Sequence, residues 1–294
     1  MITVKGRDAM LVETHCHSSN FSPDARQSLA DLLAATRARG FNAVVLTEHY
    51  DKNYFSDGSA GQLTPLGSPP EPGEWIFDLA QYRARVQAAQ VSFPELLQGI
   101  EIGYRPALAA DLTDFLQPFA FDQIIGSVHA MMGKDLGMAK GHPLYDLPKQ
   151  EAYEKVLEAH LEMVSSPFRF QVMGHVDYLT RYAPYADTAL TYAPYADHFD
   201  ALFKALIERE VALEINLRTR YKQFDRTGHD PGLMDPTILR RYRDLGGELI
   251  TLAGDAHSPE DFGRFFPEAR AELKALGFQY GYYFQQGRPM RYAL

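Results

Sequence analysis

Short apolar runs recur along the chain at 10–14, 43–47, 97–102, 121–128, 171–174, 212–215 and 248–252, and each reads as a strand. Amphipathic stretches separate them. Segment 28–39 sets Leu29, Leu32 and Leu33 on one side, opens on Ser28 as a capping residue and stops before Gly40. Segment 149–164 draws one apolar stripe from Tyr153, Val156, Leu157, His160, Leu161 and Val164. Segments 199–209 and 235–245 have the same character. Ser258-Pro259-Glu260-Asp261 combines a cap, a first-turn proline and carboxylates at a positive dipole end, which predicts the start of the last helix there. About seven alternations of strand and helix imply parallel strands joined by helical crossovers. A closed barrel and an open doubly wound sheet both satisfy that pattern.

Two segments break the rhythm. Segment 51–73 is rich in Gly, Pro, Ser and Asp, and 133–148 is a second long connection. Such loops inside a domain are usually lids or insertions, and neither reads as an interdomain linker. Residues 1–294 are therefore expected to form one domain. The hexapeptide Tyr-Ala-Pro-Tyr-Ala-Asp occurs at 182–187 and again at 192–197. Two short copies make no repeat architecture, so a local duplication within one loop is expected.

Composition narrows the function. Hydrophobic residues make up 46% of the 294 and charged residues 23%, enough for a sizeable core. The net charge of −9 removes the global attraction that nucleic acid or an anionic membrane would exploit, so neither is expected as a partner. Cys16 is the single cysteine, so no intramolecular disulfide forms, as suits a reducing compartment. The opening segment 1–11 mixes Lys5, Arg7 and Asp8 with apolar residues and carries no apolar stretch of signal-peptide length. A cytoplasmic location is expected.

The ten histidines change the picture most. His15 and His17 flank Cys16 at the end of the first strand. Side chains two apart on a strand share a face, so both imidazoles can reach one ion while Cys16 points away. Thr47-Glu48-His49 closes the second strand, Gly99-Ile100-Glu101 the third, Gly126-Ser127-Val128-His129 the fourth and Met173-Gly174-His175 the fifth. The sixth ends in Glu214-Ile215-Asn216 and leads to Arg218; Gly254-Asp255-Ala256-His257 follows the seventh. Parallel strands would bring all these ends to one face, where an α/β barrel carries its active site. Buried carboxylates and imidazoles in that number need partners, and divalent cations supply them. Mixed nitrogen and oxygen donors suit Zn²⁺, Mn²⁺ or Fe²⁺ alike. Other histidines read differently: His160 as a core residue, His198 as structural, and His142 and His229 as solvated loop residues. Gly58-Ser59-Ala60-Gly61 lacks the lysine and the context of a P-loop.

These motifs, in this order, resemble the polymerase and histidinol phosphatase (PHP) family: His15-x-His17, Thr47-Glu48-His49, Gly99-Ile100-Glu101, Ser127-Val128-His129, Gly174-His175 and Gly254-Asp255-Ala256-His257. The resemblance implies an α/β fold, a distorted (β/α)7 TIM-like barrel, with three divalent ions (Zn, Fe or Mn) at its C-terminal mouth. It implies that His15, His17, Glu101 and Asp255 hold one ion and Glu101, His129 and His175 a second. Asp24, His49 and His257 would hold the third, with Asp31 and Glu48 near Asp24 in sequence. The stretches from Gly174 to Tyr182 and from Glu214 to Arg218 resemble the histidinol-phosphatase branch, where Arg181 and Arg218 match positions that grip the substrate phosphate. Arg264 is a third such candidate. After His129 that branch carries an aromatic residue and an acidic, tryptophan-containing loop; here the chain reads Ala130-Met131-Met132-Gly133-Lys134-Asp135, a candidate wall of the leaving-group pocket.

The expected activity is metal-dependent hydrolysis of a small phosphate monoester, histidinol phosphate by the resemblance, which is a step of histidine biosynthesis. Asp24, Asp255 and His257 are the candidates for direct roles in catalysis, with Asp24 or His257 as a proton source for the leaving alkoxide. Rival readings are a protein-tyrosine phosphatase or a nucleic-acid phosphodiesterase of the same family, or a metal-binding module without activity. The sequence leaves homo-oligomerisation open.

Overall fold

A computed structural model describes residues 10–54 and 63–294. Most of the opening segment, the middle of loop 51–73 and the Gly58-Ser59-Ala60-Gly61 run lie outside the described residues. The elements in chain order are β1 (Val12–Cys16), α1 (Leu29–Ala38), β2 (Ala43–Leu46), β3 (His49–Tyr50), α2 (Leu79–Gln90), β4 (Leu96–Gly103), α3 (Ala109–Leu116) and β5 (Gln123–Ser127). Next come β6 (Ala130–Met131), β7 (Lys134–Asp135), α4 (Lys149–Ser165), β8 (Val172–Met173), α5 (Ala196–Glu208), β9 (Ala212–Asn216) and α6 (Arg218–Thr227). The chain ends with α7 (Pro236–Asp244), β10 (Ile250–Ala253), α8 (Phe266–Ala275), β11 (Tyr280–Gln285) and β12 (Arg288–Ala293).

Seven parallel strands run in the spatial order β1-β2-β4-β5-β8-β9-β10, with β3 added alongside β4. All seven predicted strands are present. The two ends of the sheet approach one another: Cys16 bridges Ala256 in parallel, His17 N–H donates to the Ala256 carbonyl at 3.0 Å, and the Thr14 hydroxyl donates to the Leu252 carbonyl at 3.0 Å. The sheet is a nearly closed barrel, which resolves the choice that periodicity left open. Helices cover its outside through buried stripes, such as Tyr153, Val156, Leu157 and His160 of α4 and Phe199, Leu202, Phe203 and Leu206 of α5. The antiparallel hairpin β11–β12 packs Phe284 on Ile125, Val172 and Ala212, near the strand starts and so at the end opposite the histidines.

Three expectations are corrected. The last helix begins at Phe266, not at Ser258. The Ser258 hydroxyl does reach Asp261 Oδ2, at 2.9 Å, but Gly263 (φ 71°) and Phe265 (φ 61°) take left-handed backbone and break the turn before a helix can propagate. The two copies of the hexapeptide do not share a loop: 182–187 is irregular, whereas 192–197 passes through a 3-10 turn into α5. His142 is buried rather than solvated, with its Nδ1 accepting from Leu144 N–H at 3.1 Å and capping a short 3-10 turn. His229 is exposed and His160 buried, as read from the sequence. No helix among the described residues is long and apolar enough to cross a membrane.

Candidate metal centre

The pleat of β1 sends Glu13, His15 and His17 to one face and Thr14 and Cys16 to the other. The Cys16 thiol accordingly turns to the Val45 carbonyl, at 3.2 Å, within the apolar core. Both imidazoles face Glu101 at the hub of the site. Glu101 Oε1 lies 2.8 Å from His175 Nε2 and 3.0 Å from His129 Nε2, and it accepts from the Ser127 hydroxyl at 2.7 Å. Its Oε2 lies 2.9 Å from His49 Nδ1, 3.2 Å from His15 Nε2 and 3.6 Å from His17 Nε2. Five imidazoles from four strands and one following loop thus converge on one buried carboxylate. Register places His49 beside Glu101, because β3 pairs with β4 at that residue.

Asp255 sits in the left-handed region at φ 49°, unusual for a residue with a side chain. There its Oδ1 lies 3.4 Å from His17 Nε2 and 3.4 Å from His257 Nδ1. Asp24 meets His257 Nε2 at 2.8 Å and His49 Nε2 at 3.7 Å. The two carboxylates near Asp24 in sequence are used elsewhere. Asp31 caps α1 through Ser28, and buried Glu48 accepts from the hydroxyls of Ser18 and Ser22. The donor atoms fall into overlapping groups close enough to share an ion: His15, His17 and Glu101; Glu101, His129 and His175; His17, His49 and His257; and His49, Asp51 and His129. The sequence-predicted donors are therefore brought together.

The electrostatics fit cations. His15 Nε2, His17 Nε2, His49 Nδ1 and Glu101 Oε2 are buried without a hydrogen-bond partner, which is costly unless something positive and electrophilic sits among them. Burial works against charge on Glu101, but His15, His129 and His49 outweigh it and hold the carboxyl well below its usual range. Burial, with His49 and His257 nearby, keeps His17 neutral, the form that donates a lone pair. Burial lifts Glu48 to about 7 against the opposing hydrogen bonds of Ser18 and Ser22.

A second layer of carboxylates aims the imidazoles. His15 Nδ1 lies 2.7 Å from Glu214 Oε1, and His129 Nδ1 lies 2.9 Å from Asp51 Oδ1. Glu13 Oε1 accepts from Gly254 N–H at 2.8 Å and ties β1 to the end of β10. Sequence reasoning gave no role to Glu214, Asp51 or Glu13, although Asp51 and Glu13 stand two residues from His49 and His15 on the same strand face. Gly103 has no side chain because a Cβ there would overlap the Asp51 carboxylate.

Arg181 and Arg218 join the site. Arg181 donates through Nε to Thr219 Oγ1 at 2.9 Å, through Nη1 to Asp255 Oδ2 at 3.0 Å and through Nη2 to Asn216 Oδ1 at 2.8 Å. Arg218 donates through Nη1 to the Asp255 carbonyl at 2.8 Å and contacts His257 Nδ1. Both line a cavity of about 220 Å³ with Asp24, His49, His129 and His175. Arg264 does not. Its guanidinium is paired with Asp225 at 2.7 Å and Asp261 at 3.4 Å, over the Tyr221 ring, and it is not in the cavity wall. A larger cavity, about 620 Å³, adjoins Asn216 and Thr219, but none of the predicted metal donors lines it.

The model of the PHP domain matches residues 13–218. The chain belongs to the PHP domain family. Histidinol-phosphatase of Lactococcus lactis is 28% identical over 272 residues, covering 91% of this chain and 91% of that protein. A Clostridium acetobutylicum protein named "Probable histidinol-phosphatase" is 27% identical over 260 residues, covering 88% of this chain and 91% of its own length. A crystal structure of histidinol phosphate phosphatase from Lactococcus lactis, complexed with zinc, L-histidinol and phosphate, superposes with a TM-score of 0.79 at 24% identity, over 96% of this chain and 100% of that one. The PHP fold expected from the motifs is therefore the fold this chain adopts.

Proposed function

We propose that this PHP protein is a metal-dependent phosphate monoesterase acting on histidinol phosphate, yielding histidinol and phosphate. One observation carries the reading: nine donors predicted from strand ends converge within one cavity whose rim also holds Arg181 and Arg218. The curated relatives, which match over most of both chains, are histidinol-phosphatases by name. We assign three divalent ions to the groups His15, His17, Glu101 and Asp255; Glu101, His129 and His175; and Asp24, His49 and His257. When bound, such ions supply an activated water at neutral pH and polarise the phosphoryl oxygens.

The protein's own groups do the rest. A guanidinium has five N–H groups, and Arg181 commits three of them to Thr219, Asp255 and Asn216. Its remaining two, with the Nε and Nη2 edge of Arg218, meet phosphoryl oxygens and offset the charge that grows there in the transition state. Asp255 fixes both arginines at once. Asp24, with its side chain about a third exposed and 2.8 Å from His257 Nε2, holds or moves the proton that the departing alkoxide needs. An acidic chain with a small, enclosed cavity favours a small ester over nucleic acid.

The test is to purify the protein, count metals per chain and compare histidinol phosphate, tyrosine phosphate and an activated phosphodiester. Preferred turnover of histidinol phosphate is expected. Rapid cleavage of the diester with neither monoester touched would reject the assignment, and metal-loaded protein inert on all three would favour a binding module.

A further inference from the structure

Beyond its donors and arginines, the cavity is walled by aromatic side chains around one more carboxylate. The Trp75 ring lies 5.4 Å from the His49 ring and stacks on Tyr54 at 5.7 Å. The Tyr178 ring lies 5.0 Å from His175 and 5.5 Å from His129. The Tyr178 hydroxyl points at Asp135 Oδ1, 3.5 Å away, and Tyr54 hydrogen-bonds the same side chain. Gly137 N–H fixes Asp135 Oδ1 from behind at 2.5 Å. All four side chains line the cavity.

Asp135 lacks a counter-charge. Among the described residues no lysine, arginine or histidine forms an ion pair with it, and its neighbour Lys134 is turned to the Gly141 carbonyl. It also lies outside every group that could hold a metal ion. A lone carboxylate framed by ring faces suits an organic cation, which the carboxylate attracts directly and the rings through their negative faces. It suits an anion badly, so the phosphoryl group belongs at the arginines and the rest of the ester towards Asp135.

We propose that Asp135, framed by Tyr54, Trp75 and Tyr178, is the subsite that recognises a positively charged amine or imidazolium on the leaving alcohol, and so sets substrate specificity. This rests on the phosphatase reading above. The hairpin β6–β7 now has a purpose: its Ala130-Met131-Met132-Gly133-Lys134-Asp135 sequence delivers the acid, while the chain's single tryptophan reaches the same cavity from the segment before α2.

The experiment compares histidinol phosphate with glycerol phosphate, whose alcohol is neutral, in the wild type and in Asp135→Asn, which keeps the oxygen that accepts from Gly137. The wild type should prefer the cationic ester. In D135N that preference should fall about 10- to 100-fold, as expected for loss of a hydrogen bond to a charged group, mainly through KM, and inhibition by free L-histidinol should weaken in parallel. Trp75→Leu should lower the preference in the same direction. An unchanged preference in D135N overturns the inference, as does an equal fall on both esters, which would mean a damaged fold. A wild type that hydrolyses monoesters without favouring cationic alcohols overturns it too, while the phosphatase reading stands. A wild type inert on every monoester overturns both.

Discussion

Replacing Glu214 by glutamine tests how far the metal donors depend on the layer behind them. Glu214 accepts three hydrogen bonds: from His15 Nδ1 at 2.7 Å through Oε1, and from His175 N–H at 2.8 Å and Asn216 Nδ2 at 2.9 Å through Oε2. An amide has one oxygen. If that oxygen stays with the two donors on the Oε2 side, the new NH₂ faces His15 Nδ1 and forces it to accept. The proton then moves to Nε2, the nitrogen turned towards Glu101 and Asp255, and a protonated nitrogen cannot bind a metal. If the amide turns over instead, two backbone and side-chain donors lose their acceptor inside a fully buried site. Either way the loss is about 1.5–3 kcal/mol, equivalent to a metal affinity weaker by about 10- to 100-fold. Metal titration followed by elemental analysis should show fewer ions per chain, with turnover partly restored by excess metal. A Glu214→Gln protein that retains wild-type metal content under limiting metal would refute the tautomer argument.

Three further outcomes follow from the same geometry. Arg218→Ala should lower kcat/KM by about 10²- to 10³-fold with metal content retained, because its guanidinium faces the cavity rather than supplying a donor; loss of metal instead would mean that Arg218 acts by holding Asp255 and His257. Chelation should lower the thermal midpoint by several degrees, since an ion at about a hundred times its Kd adds about 2.7 kcal/mol to the folded state, and calorimetry with and without chelator reads the difference. Burial pushes His160 down to about 4 from an ordinary 6.5, so the unfolded chain takes up the proton first. Stability present above pH 6.5 should be lost as pH falls towards 4, by about 3 kcal/mol in all; melting of wild type and His160→Gln across that range should show the variant spared this loss, and parallel curves would count against it.

The donors were legible because chemistry and period coincide. His15 and His17, or Asp255 and His257, stand two apart at strand ends, and parallel strands leave no other place for them than a shared face. Barrel closure was not legible, because it depends on contacts between Cys16 and Ala256, residues at opposite ends of the chain. Glu214 and Asp51 went without a role because a supporting carboxylate is defined by the ring nitrogen it meets and has no spacing of its own. Helix α2 was missed for a related reason: only Leu79, Tyr82 and Val86 are buried, too sparse a stripe to stand out. The Ser258 start failed because a good cap sequence was overruled by left-handed backbone a few residues on.

The duplicated hexapeptide carries a lesson of wider reach. At 182–187 its aspartate binds Lys149 Nζ at 2.8 Å and the Ala189 amide at 2.9 Å, and the strand of chain stays irregular. At 192–197 the same six letters wind into a helix, because the residues that follow, Phe199, Leu202, Phe203 and Leu206, have an apolar surface to cover. Identical words are thus given different shapes by the company they keep. Swapping the two copies should leave the protein unaltered, whereas transplanting what comes after them should not.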